Sequence, residues 1–398
     1  MSRAPECITQ HAAGGSPPIA VDGNELRLFA ESAPLVATMV AAIRRAERRV
    51  WLETYILLDD AAGQALAAAL AERARAGLDV RVLYDAFGSK STPERFFQEL
   101  RSAGAQVHAF HRFAYALERG WRWFHIFNRR NHRKLLVIDD DQAFFGGMNI
   151  VDQSAVRSGG AASLPTSAGW RDVHVQLTGP AQAALVESYA RSWQTAHRQR
   201  VPKRSRGYRR GELPARPEWI RCFDSGPGRN YSRAERIYCR LIDAARAHLI
   251  LSMAYFLPTP RVERSLLRAR RRGVEVSVVI PGQSDVKLVQ WAAAYEYHKW
   301  LRHGIRIYER QECMLHSKVL VADDQWTIVG SCNLDRRSLL VNLELLGVVR
   351  SAPLAAAISQ LCAQEMAQSQ LVTHQHCQDR TWFQRLRNRL AYALRRWL

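Results

Sequence analysis

The sequence predicts an α/β protein that contains two related domains, and three observations support this prediction. The chain has 398 residues, of which 47% are hydrophobic and 24% charged, a globular composition with enough apolar material for two or three domains. Residues 131–150 resemble residues 315–334 at a constant offset of 184 (316 − 132). Strand-like and helix-like segments alternate around both copies.

Each half is predicted to run in the same order: strand, helix, strand, helix and then a strand hairpin that carries the repeated segment. Residues 48–58 and 247–257 predict the first strand, and residues 77–89 and 273–285 predict the second. These strands are rich in Val, Ile and Leu, as expected where helices cover both faces of a sheet. The helices between them read AAGQALAAALAERARAG and VERSLLRARRRG, and each ends at a glycine. We therefore expect two α/β/α sandwich domains.

Composition shifts along the chain suggest the domain boundaries. The segment HRQRVPKRSRGYRRGELPAR is basic, contains Pro and Gly and has little apolar periodicity, which is typical of a linker. The predicted parts are an N-terminal extension (1–24), a first domain (25–196), a basic linker (197–216), a second domain (217–375) and an amphipathic basic C-terminal helix (376–398).

The charge of the chain is its most unusual bulk property. With 57 Lys and Arg against 37 Asp and Glu, the formal net charge is +20. Such a field concentrates polyanions, so nucleic acid, an anionic lipid surface and a phosphorylated substrate are the candidate partners. The alternative is a solvated, arginine-rich surface that has no polyanionic partner.

Cysteine usage and hydropathy indicate the compartment. The seven cysteines are widely spaced and form no CxxC, which favours a reducing compartment over a disulfide framework. Cys313 and His316 form a CxxH pair, but no second pair accompanies them, so no metal site is predicted. We see no apolar segment typical of a signal peptide, and no run reaches the roughly 18 apolar residues of a membrane span. Work at a membrane is therefore expected from its surface.

The repeated segment carries the pattern H-x-K-x-x-x-x-D followed by G-[GS]-x-N. Two copies with matching tails are far rarer by chance than one, so the signal is strong. Only six of the 57 basic residues are lysines, and two of the six fall inside the pattern. A compact ammonium group suits a point contact with a phosphate oxygen. The copies consist of His132, Lys134, Asp139 and Asn149 in the first half and His316, Lys318, Asp323 and Asn333 in the second.

These residue types in this spacing predict phosphodiester transfer without a metal or cofactor. In a strand, side chains two residues apart share a face, so each His projects beside its Lys. If the halves face each other, one His can attack phosphorus while the other protonates the leaving oxygen. The two lysines would stabilise the phosphate oxygens, and Asn149 and Asn333 would add neutral donors. A purely structural histidine is the alternative, and the duplication argues against it.

Two downstream carboxylates are candidates for orienting the histidines. Asp172 in GWRDVHVQLTGP and Glu344 in LLVNLELLGVV lie in strand-like segments after each motif. A nucleophilic imidazole needs one ring nitrogen held and the other free, which an acidic partner provides. The alternative is an ordinary salt-bridged carboxylate. Asp139 and Asp323 complete the catalytic motif, but their place at strand ends in Asp-rich turns favours a structural task in fixing the hairpin.

The double motif, with its tails GGMN and GSCNLDRRS, resembles the phospholipase D superfamily over nearly the whole chain. Within it, LETYILLDD, HRKLLVIDDDQAFFGGMNI, WRDVHVQLTGP, AYFLP and NLDRRSLLVNLE are similar to bacterial cardiolipin synthases, most closely the B type. The resemblance implies a transfer of the phosphatidyl group from phosphatidylglycerol to a second phospholipid hydroxyl through a phosphohistidine, with release of glycerol. It implies that His132 is the nucleophile and His316 the acid/base, although sequence symmetry alone leaves this order open. The expected location is peripheral, on the cytoplasmic face of the bacterial membrane.

The two halves differ at two positions near the motifs. Gly147 stands where the second half has Ser331, so a hydroxyl contact there would be one-sided. Glu53 is expected to lie opposite Met253, so a substrate role for Glu53 would also be one-sided.

Three segments are candidates for contact with a lipid surface. In the C-terminal stretch RTWFQRLRNRLAYALRRWL, aromatic and aliphatic residues share one helical stripe and arginines lie largely outside it, with no acidic residue. A helix packed on the core is the alternative. An aromatic and basic stretch at 110–134 suits either lipid headgroups or stacked bases, and the basic linker is a weaker candidate.

Three other functions remain open at this stage. A phospholipase D hydrolase would use the same residues, and a nuclease of the superfamily would use the positive charge. Nucleic acid is nevertheless disfavoured by the lipid-type motif context. A non-catalytic membrane adaptor is disfavoured by the two intact motifs. The acceptor and the oligomeric state are not predicted.

Overall fold

A computed structural model gives the fold and confirms a mixed α/β architecture of two related domains. The structure describes residues 15–110, 129–152, 169–197, 214–226 and 231–397.

The first domain contains an eight-stranded sheet. The three strands at one end of the sheet, β3, β4 and β5, are parallel, and all other neighbouring strands pair antiparallel. The elements of this half are β1 (Ile19–Val21), β2 (Asn24–Phe29), α1 (Ser32–Arg45), β3 (Arg49–Thr54), α2 (Ala61–Arg75), β4 (Asp79–Asp85), α3 (Glu94–Ser102), β5 (Gln106–Phe110), β6 (Leu135–Ile138), β7 (Gln142–Gly146), β8 (Trp170–Arg171), β9 (His174–Thr178) and α4 (Ala183–Ala196). The strand order is β1-β2-β9-β7-β6-β3-β4-β5, with β8 outside this sheet.

The second domain repeats this plan with another eight-stranded sheet. Its elements are β10 (Trp219–Ser225), α5 (Arg233–Ala244), β11 (His248–Met253), α6 (Pro260–Arg271), β12 (Glu275–Pro281), α7 (Lys287–Arg302), β13 (Arg306–Arg310), β14 (Met314–Leu315), β15 (Lys318–Ala322), β16 (Trp326–Gly330), α8 (Arg336–Leu340), β17 (Glu344–Arg350), α9 (Ala352–Ala367), β18 (Ser369–Leu371), α10 (His374–Gln378) and α11 (Trp382–Ala393). The strand order is β10-β17-β16-β15-β11-β12-β13-β18. The remaining strand, β14, pairs with β8 of the first domain.

The predicted order of elements is present in both halves, with one further strand of each sheet between the second helix and the motif hairpin. The motif hairpins are β6–β7 and β15–β16. The strands β5 and β13, which precede the hairpins, were not separated in the prediction because they are short and carry several polar residues. The glycines that follow α2 and α6, Gly77 and Gly273, adopt φ of +87° and +90°, the left-handed conformation that ends a helix.

Strand register corrects one expected correspondence. Glu53 pairs with Leu135 on the first motif strand, and Ser252 pairs with the equivalent Val319 on the second. Ser252, and not Met253, therefore occupies the position of Glu53. The sequence comparison was off by one residue, which in a strand moves a side chain to the opposite face.

The two sheets meet in a shared core. Phe145 of β7 packs on β17, where a Cβ on Gly347 would lie 2.7 Å from its ring. This central core also takes in α4 and α9 from the inner side, including Tyr189 and Leu354. Helices α1, α2 and α3 cover the outer face of the first sheet, and α5, α6 and α7 cover that of the second. Burying one sheet against the other fixes the relative position of the two motif strands.

The predicted domain boundaries stay a prediction, and the structure describes only some of the segments between them. The segment assigned to an N-terminal extension contributes β1 to the first sheet, where Val21 is fully buried. Most of the basic linker and most of the 110–134 stretch lie outside the described residues. Over the described residues, no helix combines the length and apolar character that crossing a bilayer requires.

Candidate active site

Each motif histidine is held by backbone pairing with the opposite domain. The His132 amide donates to the Leu343 carbonyl at 3.0 Å, and the Leu343 amide donates to the Arg130 carbonyl at 2.9 Å. On the other side, β14 pairs with β8, and the His316 amide donates to the Arg171 carbonyl at 2.7 Å. Both histidines therefore lie at the boundary between the halves.

The two predicted orienting carboxylates contact the histidines crosswise. Nδ1 of His132 lies 3.1 Å from both carboxylate oxygens of Glu344, which belongs to the second domain. Nδ1 of His316 lies 2.6 Å from Oδ2 of Asp172, which belongs to the first domain. Because a carboxylate only accepts hydrogen bonds, Nδ1 carries the hydrogen in each ring. Nε2 is then the nitrogen with a free lone pair.

The motif lysines are buried beside the histidines. Nζ of Lys134 donates to the backbone carbonyl of His132 at 2.8 Å and lies 5.2 Å from the Tyr55 ring centre. Nζ of Lys318 donates to the backbone carbonyl of His316 and lies 3.4 Å from Oδ2 of Asp172. Each half therefore brings one buried positive charge to the side of its imidazole.

The motif histidines and lysines have lowered pKa values, and Lys318 of the second half contributes to the shifts of His132 and Lys134 in the first half. Burial, followed by the Lys134 ammonium, lowers the pKa of His132 to about 4, and the Lys318 ammonium of the other half adds to this shift. Burial, followed by the Lys318 ammonium, lowers the pKa of Lys134 to about 7. Burial and the Lys318 ammonium also lower the pKa of His316. These shifts favour neutral imidazoles at neutral pH, so a histidine that acts as an acid must take up its proton together with the anionic substrate.

The orienting carboxylates remain ionised although they are buried. Burial opposes ionisation of Asp172, but Lys318 and His316 hold its pKa below the ordinary value. Burial likewise opposes ionisation of Glu344, but His132 and Lys134 hold its pKa below the ordinary value. Two buried anions and two buried lysines thus compensate one another.

The Gly147/Ser331 difference has a structural cause. A Cβ on Gly147 would lie 2.1 Å from Oδ1 of Asp172, so this position has room only for glycine. The Ser331 hydroxyl instead donates to Glu344, and the Leu345 amide donates to the Ser331 hydroxyl at 3.0 Å. The shorter side chain, Asp172, therefore packs against Gly147, and the longer one, Glu344, is held by the hydroxyl of Ser331.

The two motif asparagines are buried with an unpartnered oxygen each. Asn149 is 6% exposed and Asn333 is 1% exposed. Among the described residues, neither Oδ1 has a hydrogen-bond partner. A buried amide oxygen without a partner is unusual in a folded protein. Their predicted role in binding the substrate phosphate stays a prediction.

The structure places the motif aspartates away from the reactive groups. Asp139 accepts hydrogen bonds from the backbone amides of Glu47, Arg48 and Arg49 at 3.0, 2.9 and 3.0 Å. Asp323 accepts the equivalent bonds from residues 246, 247 and 248 at 2.8, 2.8 and 3.0 Å. Both adopt positive φ, at +47° and +52°. Each ties a hairpin turn to the start of the neighbouring strand, so grouping them with the catalytic side chains is not supported by their position.

Several residues around the site were not selected from the sequence. The Tyr55 ring packs edge-on against His132 with ring centres 5.0 Å apart. On the His316 side, the Tyr255 hydroxyl donates to both carboxylate oxygens of Asp285 at 2.8 Å. These residues follow the ends of β3, β11 and β12, where α/β sheets place ligands, and that was the signal that could have found them.

A buried polar layer supports the first motif from behind. Asn131 donates to Oε1 of Glu53 at 2.7 Å, and its backbone amide donates to Asp85 at 2.9 Å. The Arg133 guanidinium donates to the Glu344 carbonyl at 3.2 Å. Burial raises the pKa of Glu53 despite Arg133. Glu53 therefore supports the motif strand and does not face the substrate side, contrary to the substrate role considered for it.

A family model described as "Cardiolipin synthase, PLD-like domain" matches residues 39–164 and 238–367, which together make up more than half of the chain and contain both motifs. The chain belongs to this cardiolipin synthase family. The two matched segments correspond to the two repeated halves.

Two cardiolipin synthases from Pseudomonas species align with most of this chain and with about three quarters of their own length. Cardiolipin synthase A of Pseudomonas putida is 32% identical over 368 residues, which is 92% of this chain and 73% of the relative. Cardiolipin synthase A of Pseudomonas fluorescens is 32% identical over 372 residues, which is 92% of this chain and 74% of the relative.

Solved structures share the fold of this family member at low sequence identity. Phosphatidylserine synthase of Haemophilus influenzae superimposes with a TM-score of 0.68 and 14% identity, over 94% of this chain and 95% of that one. Polyphosphate kinase of Porphyromonas gingivalis gives a TM-score of 0.54 and 15% identity, over 86% of this chain and 50% of that one.

Proposed function

We propose that this protein is a cardiolipin synthase that joins two phosphatidylglycerol molecules and releases glycerol. The observation that carries the proposal is the crosswise pairing, in which each half supplies one imidazole and the carboxylate that orients the other. This arrangement holds two histidines with Nε2 available on each, beside two lysines. Such a set can carry out a covalent transfer at phosphorus in two steps.

In the first step, Nε2 of His132 attacks the phosphorus of phosphatidylglycerol. The bond between phosphorus and the glycerol oxygen breaks. His316, which takes up a proton at Nε2 when the anionic phosphodiester binds beside it, donates that proton to the glycerol oxygen. The two lysines stabilise the negative charge on the phosphate oxygens. The products of this step are free glycerol and a phosphatidyl group on His132.

In the second step, the hydroxyl of a second phosphatidylglycerol enters and loses its proton to His316. Its oxygen attacks phosphorus, the bond between phosphorus and Nε2 of His132 breaks, and cardiolipin is released. Both imidazoles return to their starting state. The same atoms with water as acceptor would give phosphatidic acid, so exclusion of water decides the product.

An asymmetry in charge supports His132 as nucleophile and His316 as acid/base. His316 is influenced by two carboxylates, Asp172 and Asp285, which both raise its pKa against burial and Lys318. Glu344 is the carboxylate that opposes the lowering of the His132 pKa to about 4. Because anionic surroundings favour a protonated imidazole, His316 is suited to donate a proton. Because a nucleophile needs a neutral ring, His132 is suited to attack phosphorus.

We propose further that the enzyme is of the B type and acts peripherally at the cytoplasmic face of the bacterial membrane. The B-type assignment is supported by the sequence around the motifs, whereas the relatives described above are A-type enzymes. The net charge of +20 favours contact with anionic phospholipid, the form in which the substrate is presented.

The test is incubation of the purified protein with phosphatidylglycerol, followed by mass spectrometry of lipids and assay of glycerol. We expect cardiolipin and glycerol in equal amounts from the wild type, and loss of both in His132→Ala and His316→Ala. Phosphatidic acid without cardiolipin would show a hydrolase instead. Cleavage of DNA that depends on His132 would favour the nuclease.

A further inference from the structure

The C-terminal helix α11 and the turn that follows it, residues 394–397, expose their largest apolar side chains to solvent. The exposed fractions are 74% for Trp382, 62% for Phe383, 43% for Leu386, 60% for Leu390, 47% for Leu394 and 69% for Trp397. Leu394 and Trp397 lie in the turn after the helix. At about 100° per residue, the four positions within α11 fall within one sector of about 100°. They therefore form one continuous surface, which we call the apolar face of α11.

The helix contacts the rest of the protein by its opposite side. Ala391 and Asn388 are the buried residues of α11, and Ala391 packs with Ala292 of α7. The Tyr392 ring stacks on Tyr295 with centres 4.6 Å apart. A helix that stabilised the core would bury its Trp, Phe and Leu side chains. The structure thus rules out core packing as the reason for the apolar face.

Arginines border the apolar face on both sides. The segment from 380 to 397 contains six arginines and no acidic residue. At about 100° per residue, Arg385 and Arg389 fall along one border of this face and Arg387 along the other, while Arg380, Arg395 and Arg396 lie beyond the ends of α11. An apolar face between cationic borders complements a bilayer with anionic headgroups.

A cationic groove lies between α11 and α7 and is lined by Arg380 and Arg387. It has a volume of about 400 Å³ and is also lined by Lys287. Among the described residues that line it, Glu309 is the one carboxylate, and it accepts a hydrogen bond from the Tyr297 hydroxyl at 2.6 Å. The groove therefore offers positive charge and space for the phosphate of a lipid headgroup.

The start of α7, the helix on which α11 packs, is close in the chain to residues beside His316. Helix α7 begins two residues after Asp285, whose carboxylate accepts a hydrogen bond from Tyr255. The residue before Tyr255, Ala254, donates its amide to the carbonyl of Ser317, which lies between the motif His and Lys. Docking of α11 on a bilayer would therefore bring this side of the site toward lipid.

We propose that α11 is an in-plane anchor that inserts its apolar face into an anionic phospholipid bilayer while its arginines and the groove contact lipid phosphates. This deepens the proposed function, because it rests on a substrate that resides in the bilayer. The occupant is a lipid surface. The alternatives are a second copy of the chain and another protein.

The test is flotation with vesicles of phosphatidylcholine alone or mixed with phosphatidylglycerol. We expect binding of the wild type to the mixed vesicles, and at least tenfold weaker binding of Leu386→Ser/Leu390→Ser. Arg385→Glu/Arg389→Glu should weaken binding by at least 25-fold, about fivefold per arginine removed. The matched controls Tyr231→Ser/Leu371→Ser, which change exposed apolar residues elsewhere, and Arg75→Glu/Arg271→Glu, which make the same charge change, should bind as the wild type does.

A second readout separates anchoring from catalysis. With short-chain phosphatidylglycerol dissolved as monomers, the α11 variants should keep wild-type kcat/KM within about twofold. Equal loss in the controls, or α11 variants that bind vesicles normally, would overturn the proposal. So would a wild-type dimer that the Leu386→Ser/Leu390→Ser change dissociates without affecting vesicle binding. Vesicle binding by a protein that makes no cardiolipin would refute the proposed function and leave the anchor standing.

Discussion

At the scale of single residues, the site depends on small differences between two otherwise matched halves. The clearest difference is at Gly147 and Ser331. Asp172 leaves no room for a Cβ at position 147, whereas Glu344 accepts a hydrogen bond from the hydroxyl of Ser331. The sequence revealed this difference but not its reason, because the reason lies in which carboxylate comes near each position. That proximity depends on strand pairing across the whole domain.

Gly147→Ser is expected to lower kcat by about 10²-fold without unfolding the protein. The new side chain would displace Asp172 and leave the His316 ring without its partner. Steady-state kinetics of this variant, Asp172→Asn and the double variant test the cause. Because both changes act on one contact, the double variant should lose no more than the larger single loss. If the two losses of kcat multiply in the double variant, Gly147 acts through something other than Asp172.

Phosphodiester binding is expected to weaken above pH 7. Burial and Lys318 lower the pKa of Lys134 to about 7, so this positive charge is lost as the pH rises through that value. Affinity for glycerophosphoglycerol, whose phosphodiester does not titrate in this range, should fall by up to tenfold per pH unit. Calorimetry from pH 6 to 9 measures it. Lys134→Arg keeps its charge, so its affinity should not show this fall; an unchanged fall would assign the effect to another group.

At the scale of elements, the repeated turns hold the motif hairpins in place. Each aspartate has a positive φ and accepts hydrogen bonds from three backbone amides at the start of the strand that pairs with the motif strand. Two of these amides precede that strand, and one belongs to its first residue. The sequence correctly favoured a structural task for them from their position in Asp-rich turns. It could not identify the amides, which lie more than 70 residues away in the chain.

Asp139→Asn is expected to lower stability and leave catalysis intact. Although burial opposes it, hydrogen bonds from three backbone amides hold the pKa of Asp139 below its ordinary value, so the stabilisation is present above about pH 4 and is lost at lower pH. Loss of the charged acceptor should cost about 1–3 kcal/mol of the free energy of unfolding. Thermal unfolding at pH 7 measures this, with the exposed neighbour Asp140→Asn as control. A collapse of kcat at unchanged Tm would instead make Asp139 a catalytic residue.

At the scale of the whole molecule, the two halves form one catalytic unit. Composition, the internal repeat and the strand pattern were sufficient to predict two α/β domains with the motifs facing each other, because these features are local in sequence. The crosswise assignment of Asp172 and Glu344 was not predictable, since it arises from pairing between residues more than 140 positions apart. The register of Glu53 was predicted wrongly by one residue for a related reason, because sequence similarity is weak where two strands share only an apolar pattern.

The most direct test of the account is the capture of the covalent intermediate on one histidine of the pair. With phosphatidyl-p-nitrophenol, the leaving group departs without a proton, so His316→Ala should release one equivalent of nitrophenolate in a burst. Peptide mass spectrometry should then find the phosphatidyl group on His132, and His132→Ala should give no burst. A burst from His132→Ala with the adduct on His316 would reverse the assignment. A wild type that turns over while neither variant forms an adduct would contradict the covalent route itself.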